Sequence, residues 1–274
     1  MDAFIIPVVV PLALGLILGG MALAGHRLTL WQALGFGAAI VASHALIENS
    51  FAIPPVSSKE KLALALVAAA ILGAVLTPTG ARLRWPLLGA GLLGTLYWLG
   101  ARKLARDPLD PDLYVALAAV LVITALAARV PMRRETNTAW LAVLVPTSIA
   151  GALVAAFGAY VSAGQFMGAL AALGGGAILV VFVAALAGRG AEIASGAVWA
   201  LAAAQTATLT TVALFAPSYS LPAILLAALT PAAILLAPRL SAAPPARVIL
   251  TCGLTAALPA AAAGALAALA ASAP

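Results

Sequence analysis

The chain of 274 residues is poor in most of what a water-soluble protein uses. Charged residues make up 8% of it and aromatic residues 6%, with two histidines and one cysteine. Soluble globular domains carry about 25% charged residues, so this shortage excludes one. The single Cys252 has no intrachain partner, which excludes a disulfide framework. Two histidines without a Cys/His cluster give no basis for a zinc site. Enzyme signatures are missing as well. No G-x-x-x-x-G-K phosphate loop occurs, His44 and Glu48 lack the second histidine of HExxH, and Ala194-Ser195-Gly196 lacks the preceding glycine of a nucleophile turn. Asp107-Pro108-Leu109-Asp110 does not have the spacing of a calcium loop. The expectation is a chain that is not an enzyme and holds neither cofactor nor metal.

What is abundant is apolar surface: 65% of the residues are hydrophobic. Runs of membrane length fall at 3–24, 31–52, 61–78, 86–101, 112–129, 138–160, 165–187, 191–215, 221–237 and 247–271. Spanning helices need roughly 20 apolar residues each, so ten of them use about 200 positions and leave no room for a soluble domain. Nearly uniform apolarity favours helices over a barrel, whose strands alternate in polarity. The predicted fold is therefore an all-α polytopic integral membrane protein of about ten transmembrane helices. Met1 to Ala24 ends in Ala22-Leu23-Ala24, which resembles a signal-peptidase site. No Lys or Arg precedes Arg27, however, and a signal peptide opens on a basic region. It reads as a retained first span.

The net charge of +6 would suggest nucleic acid in a soluble protein. Here the charges sit between apolar runs, as membrane topology requires, so the expected surroundings are the lipid bilayer, with no nucleic acid partner. Lys and Arg collect on the cytoplasmic side. Odd-numbered loops carry Arg27, Arg82, Arg84, Arg129, Arg133, Arg134, Arg189, Arg239 and Arg247; even-numbered loops carry Lys59, Lys61, Arg102, Lys103 and Arg106. Nine against five places both termini outside the cytoplasm of a multi-pass cell-membrane protein, of the bacterial inner-membrane type.

A faint repeat divides the chain into residues 1–135 and 136–274, two five-helix halves of one membrane domain. Val10-Pro11 leads to Gln32-Ala33-Leu34-Gly35 much as Val145-Pro146 leads to Gln165-Phe166-Met167-Gly168. Glu60 stands before the third run as Glu192 opens the eighth, and Pro86 and Pro222 open the fourth and ninth. Five is an odd number, so such halves would insert with opposite topology, the inverted-repeat plan of many transporters.

Polar residues inside the runs supply the candidate site. His44 and Glu48 share a helix face at i, i+4, beside Ser43 and Asn49. Ionisable groups inside a membrane are rare and point to function, although Glu48 falls near an interface, where a local structural role also fits. Gln205 and Thr208 share a face in the densest polar cluster within a run, with Thr206, Thr210 and Thr211. They read either as a pathway lining or as interhelical glue. Gly15 and Gly19, and Gly164, Gly168 and Gly176, form small-residue stripes that suit close helix packing. Gly174-Gly175-Gly176 could instead interrupt the seventh helix at mid-membrane. The leading expectation is a secondary transporter or permease, with its site between the second and seventh helices. The alternative is a non-catalytic subunit that scaffolds a larger membrane complex, its partners being other membrane subunits or further copies of the chain.

Overall fold

The computed structural model describes residues 2–48, 53–78 and 80–272. In chain order it contains α1 (Asp2–Met21), a 3₁₀ segment (Ala22–Leu28), α2 (Thr29–Glu48), α3 (Ser58–Leu76), α4 (Ala81–Arg106) and α5 (Pro111–Arg129). There follow α6 (Arg134–Phe157), α7 (Val161–Leu186), α8 (Ser195–Phe215), α9 (Leu221–Leu229), a second 3₁₀ segment (Thr230–Leu240) and α10 (Pro245–Ser272). Among the described residues there is no strand. Eight segments are long and apolar enough to cross a membrane. The helices α3 and α4 fall outside that set, because α3 opens on Lys59, Glu60 and Lys61 and α4 carries five basic residues. The chain is an all-α membrane protein.

Local chemistry sets the helix ends. Ser57 accepts from the Glu60 N–H at 3.3 Å while the Glu60 carboxylate accepts from the Ser57 N–H at 2.9 Å, a reciprocal cap on α3. Asp110 accepts from the Asp112 N–H at 2.9 Å, and Pro111 takes the first helical position of α5. Gly188, at φ 68°, turns the chain out of α7 in the left-handed region that only glycine enters freely. Glu192 lies in the irregular stretch that follows, and α8 starts at Ser195, four residues later than the apolar run that begins at residue 191.

Contacts between loops sort them to two ends. At one end the Glu192 N–H donates to Ala22 O, and Arg84 donates to the carbonyls of Leu76, Thr77 and Met132. Arg134 pairs with Glu192 at 3.2 Å. At the other end Lys59 pairs with Glu48, Lys103 with Asp110 and Asp112, and Ser218 N–H donates to Gly158 O. Successive helices therefore run antiparallel, α3 and α4 included.

The centre is α8, whose residues from Ser195 to Leu214 are all buried. Around it pack α2, α3, α4, α5, α6, α7 and α9, with α1 held outside on α7 and α10 outside on α6 and α9. Lipid offers no hydrophobic gain for bringing helices together, so small residues that permit close packing carry the association. At the α3–α8 crossing two glycines meet: a Cβ at Gly196 would stand 1.9 Å from Gly73 O, and one at Gly73 would stand 2.7 Å from Gly196 O.

The α1–α7 contact uses the same device. A Cβ at Gly15 would lie 2.2 Å from Leu173 O, one at Gly19 would lie 2.8 Å from Ala177 O, and one at Gly176 would lie 2.6 Å from Leu12 O. Gly164 lies against α6, 3.1 Å from Ala152 O by the same construction, whereas Gly168 faces open space. The Gly174-Gly175-Gly176 run does not interrupt α7, which continues through it. Contacts in the two halves are not interchangeable: α1 packs on α7, while α6 and α2 share no contact among the described residues. Gly15→Val should lower the stability of the purified protein by about 1–3 kcal/mol, the cost of overpacking. Gly20→Ala, with nothing within 4 Å of the new methyl, should leave the melting temperature unchanged.

Candidate functional site

Two separate loci hold the polar residues singled out in the sequence. The first lies on α2. Ser43 spends its hydroxyl on its own helix, donating to Ala39 O at 2.7 Å, a bond that serine commonly makes inside helices. His44 is 2% exposed and meets Phe166 of α7 edge to face, with ring centroids 5.2 Å apart. Neither ring nitrogen has a hydrogen-bond partner. One turn on, Glu48 ends the helix and accepts the Lys59 ammonium at 2.6 Å. Tyr160, at the start of α7, belongs to the same corner. Burial, and next the Glu48 charge, push its phenol above the usual range. Asn49 lies outside the described residues.

The second locus is at the middle of the bundle. Gln205 is the central residue of α8, and its amide donates to Leu144 O at 2.9 Å and to the Ser148 hydroxyl at 2.5 Å. Its own carbonyl oxygen, Oε1, is buried without a partner. Of the threonines nearby, Thr206, Thr208 and Thr211 donate to the carbonyls four residues back at 2.8–2.9 Å, while the buried Thr210 hydroxyl has no partner. Thr208 lies away from the cavity that Gln205 lines. That cavity measures about 10 Å³ and is bounded by Thr147, Gln205, Thr206, Ile123, Ala228 and Pro231. One water needs roughly 10–15 Å³, so the space holds one water at most, with Thr147, Gln205 and Thr206 among walls that are otherwise apolar.

The helical segment Leu221–Leu240 breaks beside that cavity. It runs as α-helix to Leu229 and as 3₁₀ helix from Thr230 to Leu240. The cause is in the sequence: Pro231 cannot donate to Ala227 O and its ring crowds that carbonyl, and Pro238 does the same to Ile234. Thr230 ties the last α-turn by donating to Leu226 O at 3.0 Å. Extended 3₁₀ runs are uncommon and often mark hinges. Pro146 lies within the facing helix, next to Thr147 and Ser148, and α6 continues through it. That Pro231 lines the same cavity as Gln205 is a tertiary fact.

Other polar groups turn out to be fasteners. Gln32, buried in α2, donates to Leu18 O at 2.9 Å and accepts from the Ala194 N–H at 2.6 Å, joining α1, α2 and the start of α8. Asn137 on α6 donates to Ile193 O and to Ser195 Oγ at 2.7 and 2.9 Å. At the opposite end Tyr219 donates to the Asp112 carboxylate, which also receives Lys103. Burial first, and then that carboxylate, raise the Tyr219 phenol well above its ordinary value. Among the described residues no three of His, Cys, Asp and Glu come together in a way that could hold a metal ion.

No protein family, curated protein or solved structure matches this chain. The site must be interpreted from its own chemistry.

Two outcomes follow. A buried polar group without a partner costs about 1–3 kcal/mol, so His44→Leu should raise the melting temperature of the purified protein. For Tyr219, the folded value lies above the unfolded one near 10. The stabilisation is therefore whole below about pH 10 and is lost as pH rises from there. Above that pH the melting temperature of the parent should fall more steeply than that of Tyr219→Phe.

Proposed function

We propose that the chain is a secondary transporter or permease for a small polar solute. The observation that carries this reading is the break of the ninth crossing at Thr230-Pro231, at mid-bundle, beside a buried amide oxygen of Gln205 with no partner. Discontinuous helices at the bilayer midplane form the binding sites of many transporters, because their unwound ends and neighbouring polar groups can exchange partners with a solute. A scaffold helix gains nothing from an orphaned amide. Gln205, with Ser148 and Thr147, is the solute-contacting set. His44 and Glu48 form the ion-coupling pair, and Glu48 exchanges its Lys59 partner during the cycle. This moves the solute site from between α2 and α7 to the seam of α5, α6, α8 and α9.

All ten helices cross the membrane in this reading. The support is the sorting of loops to two ends, which α3 and α4 obey as fully as the eight apolar helices do. The end with nine of the fourteen basic residues faces the cytoplasm, which places both termini outside it, in a cell membrane of the bacterial inner type. The charges on α3 and α4 lie at helix ends, within reach of headgroups.

A second reading, a subunit of a larger membrane complex, is favoured by one feature. A groove of about 360 Å³ runs along the outer face of α1 and α7, lined by Leu16, Leu23, Leu179 and Val183, and it could seat a partner helix. The test is reconstitution in proteoliposomes loaded with a pH-sensitive dye, challenged with a panel of small solutes, alongside mass spectrometry of what copurifies in mild detergent. Parent protein should move protons on addition of its solute. Gln205→Leu should lower that rate at least tenfold while remaining folded, and Glu48→Gln should uncouple proton movement from solute uptake. Full activity in both variants, or no flux together with a stoichiometric partner protein, would overturn the transporter reading.

A further inference from the structure

At the basic end of the bundle a cavity of about 860 Å³ opens between the α5–α6 loop and the turn from the second 3₁₀ segment into α10. Its rim carries Arg129, Arg133 and Arg134, against one carboxylate of its own, Glu135. Arg134 is engaged with Glu192 at 3.2 Å. Arg129 and Arg133 have no carboxylate partner among the described residues. Among the described residues Lys59, Lys103 and Arg134 are the basic side chains paired with carboxylates, so most arginines of this chain lack an acid partner. What distinguishes Arg129 and Arg133 is that both line one cavity.

The wall is built for an anion. The first turn of α6 borders the space, and the positive end of that helix dipole adds to the arginines. Guanidinium groups match the oxygens of a phosphate two at a time and remain charged at every accessible pH. Arg129 also suits the negative end of α5, on whose last turn it sits; that role holds the stem in place and leaves the planar head available. The remaining walls, among them Val130, Pro131 and Leu240, are apolar. Basic pockets between helices at the membrane surface take up the headgroups of anionic lipids, and a volume within the usual 300–1,000 Å³ range of ligand pockets is larger than a bare phosphate requires.

We propose that this vestibule is a binding site for a phosphate-bearing anion, held by Arg129 and Arg133. The phosphate can arrive as the headgroup of an anionic phospholipid or as a free solute. Binding there does not depend on transport, so the site stands or falls apart from the reading of Gln205.

The experiment uses the full chain purified in a neutral detergent. Inorganic phosphate is titrated by calorimetry, and phosphatidylglycerol and phosphatidylcholine are each offered before native mass spectrometry. Saturable binding of phosphate that displaces phosphatidylglycerol identifies a free-anion site. Retention of phosphatidylglycerol over phosphatidylcholine, without phosphate binding, identifies a headgroup site. In either case Arg129→Gln with Arg133→Gln should weaken the bound species at least tenfold, and Arg106→Gln at the opposite end should not. If the double variant does not fold, the parent is titrated at rising NaCl, which must weaken a contact made by two exposed cations. Absence of saturable binding by either probe, equal binding by the double variant, or binding indifferent to salt would overturn the proposal.

Discussion

A helix enclosed on all sides by other helices must be narrow, and it must satisfy its own polar groups. The arrangement of this bundle depends on α8 meeting both demands. Seven of its 21 residues are alanine, and Gly196 lets α3 approach backbone to backbone. Three of its four threonines, Thr206, Thr208 and Thr211, bond to carbonyls within the helix. Its entrance is fixed by Gln32 and Asn137, side chains from two other helices that bond the backbone at Ile193 and Ala194. Trp199 completes the attachment by donating to Arg84 O at 3.0 Å. In a medium where an unsatisfied backbone group costs several kcal/mol, these bonds make the register of α8 hard to shift.

The polar inventory then divides by position. At the ends, charges act as clasps. Arg84 gathers the exit of α3 and the α5–α6 loop, and Asp112 gathers α4, α5 and the α8–α9 loop. Near the centre, where water is scarce, nearly every hydroxyl is closed on its own helix. On α8 the hydroxyl of Thr210 and the amide oxygen of Gln205 are buried without a partner, the latter because an amide presents both donors and an acceptor and α6 supplies partners only for the donors. That imbalance, next to a helix that changes its winding, is why the functional reading settles there.

Much of the fold is legible in the sequence. Apolar runs and Pro/Gly punctuation locate the helices, since lipid imposes length and apolarity on each crossing, and the Asp110-Pro111-Asp112 start of α5 reads directly as a cap. What escapes is whatever depends on which helix meets which. The run that forms α8 is less apolar than that of α7, yet α8 is the buried one, because burial among helices and exposure to lipid leave similar compositions. Gln32 looks like a repeat marker and is a three-way fastener. Arg84 looks like a topology signal and is a carbonyl clasp. For the candidate site, His44, Glu48 and Gln205 are visible as rare polar residues, but their separation into two loci is not. Nor is the meeting of Pro231 and Gln205 at one cavity.

The 3₁₀ stretch from Thr230 to Leu240 has a consequence for length. An α-helix rises about 1.5 Å per residue and a 3₁₀ helix about 2.0 Å. Eleven residues therefore cover roughly 22 Å in the second form and about 16 Å in the first. This is how a 20-residue crossing matches neighbours of 24 and 28 residues. It also makes the segment a ruler with two settings. Each residue that exchanges one hydrogen-bond pattern for the other shifts everything beyond it by about half an ångström along the axis, and the far end of that ruler is a wall of the arginine vestibule.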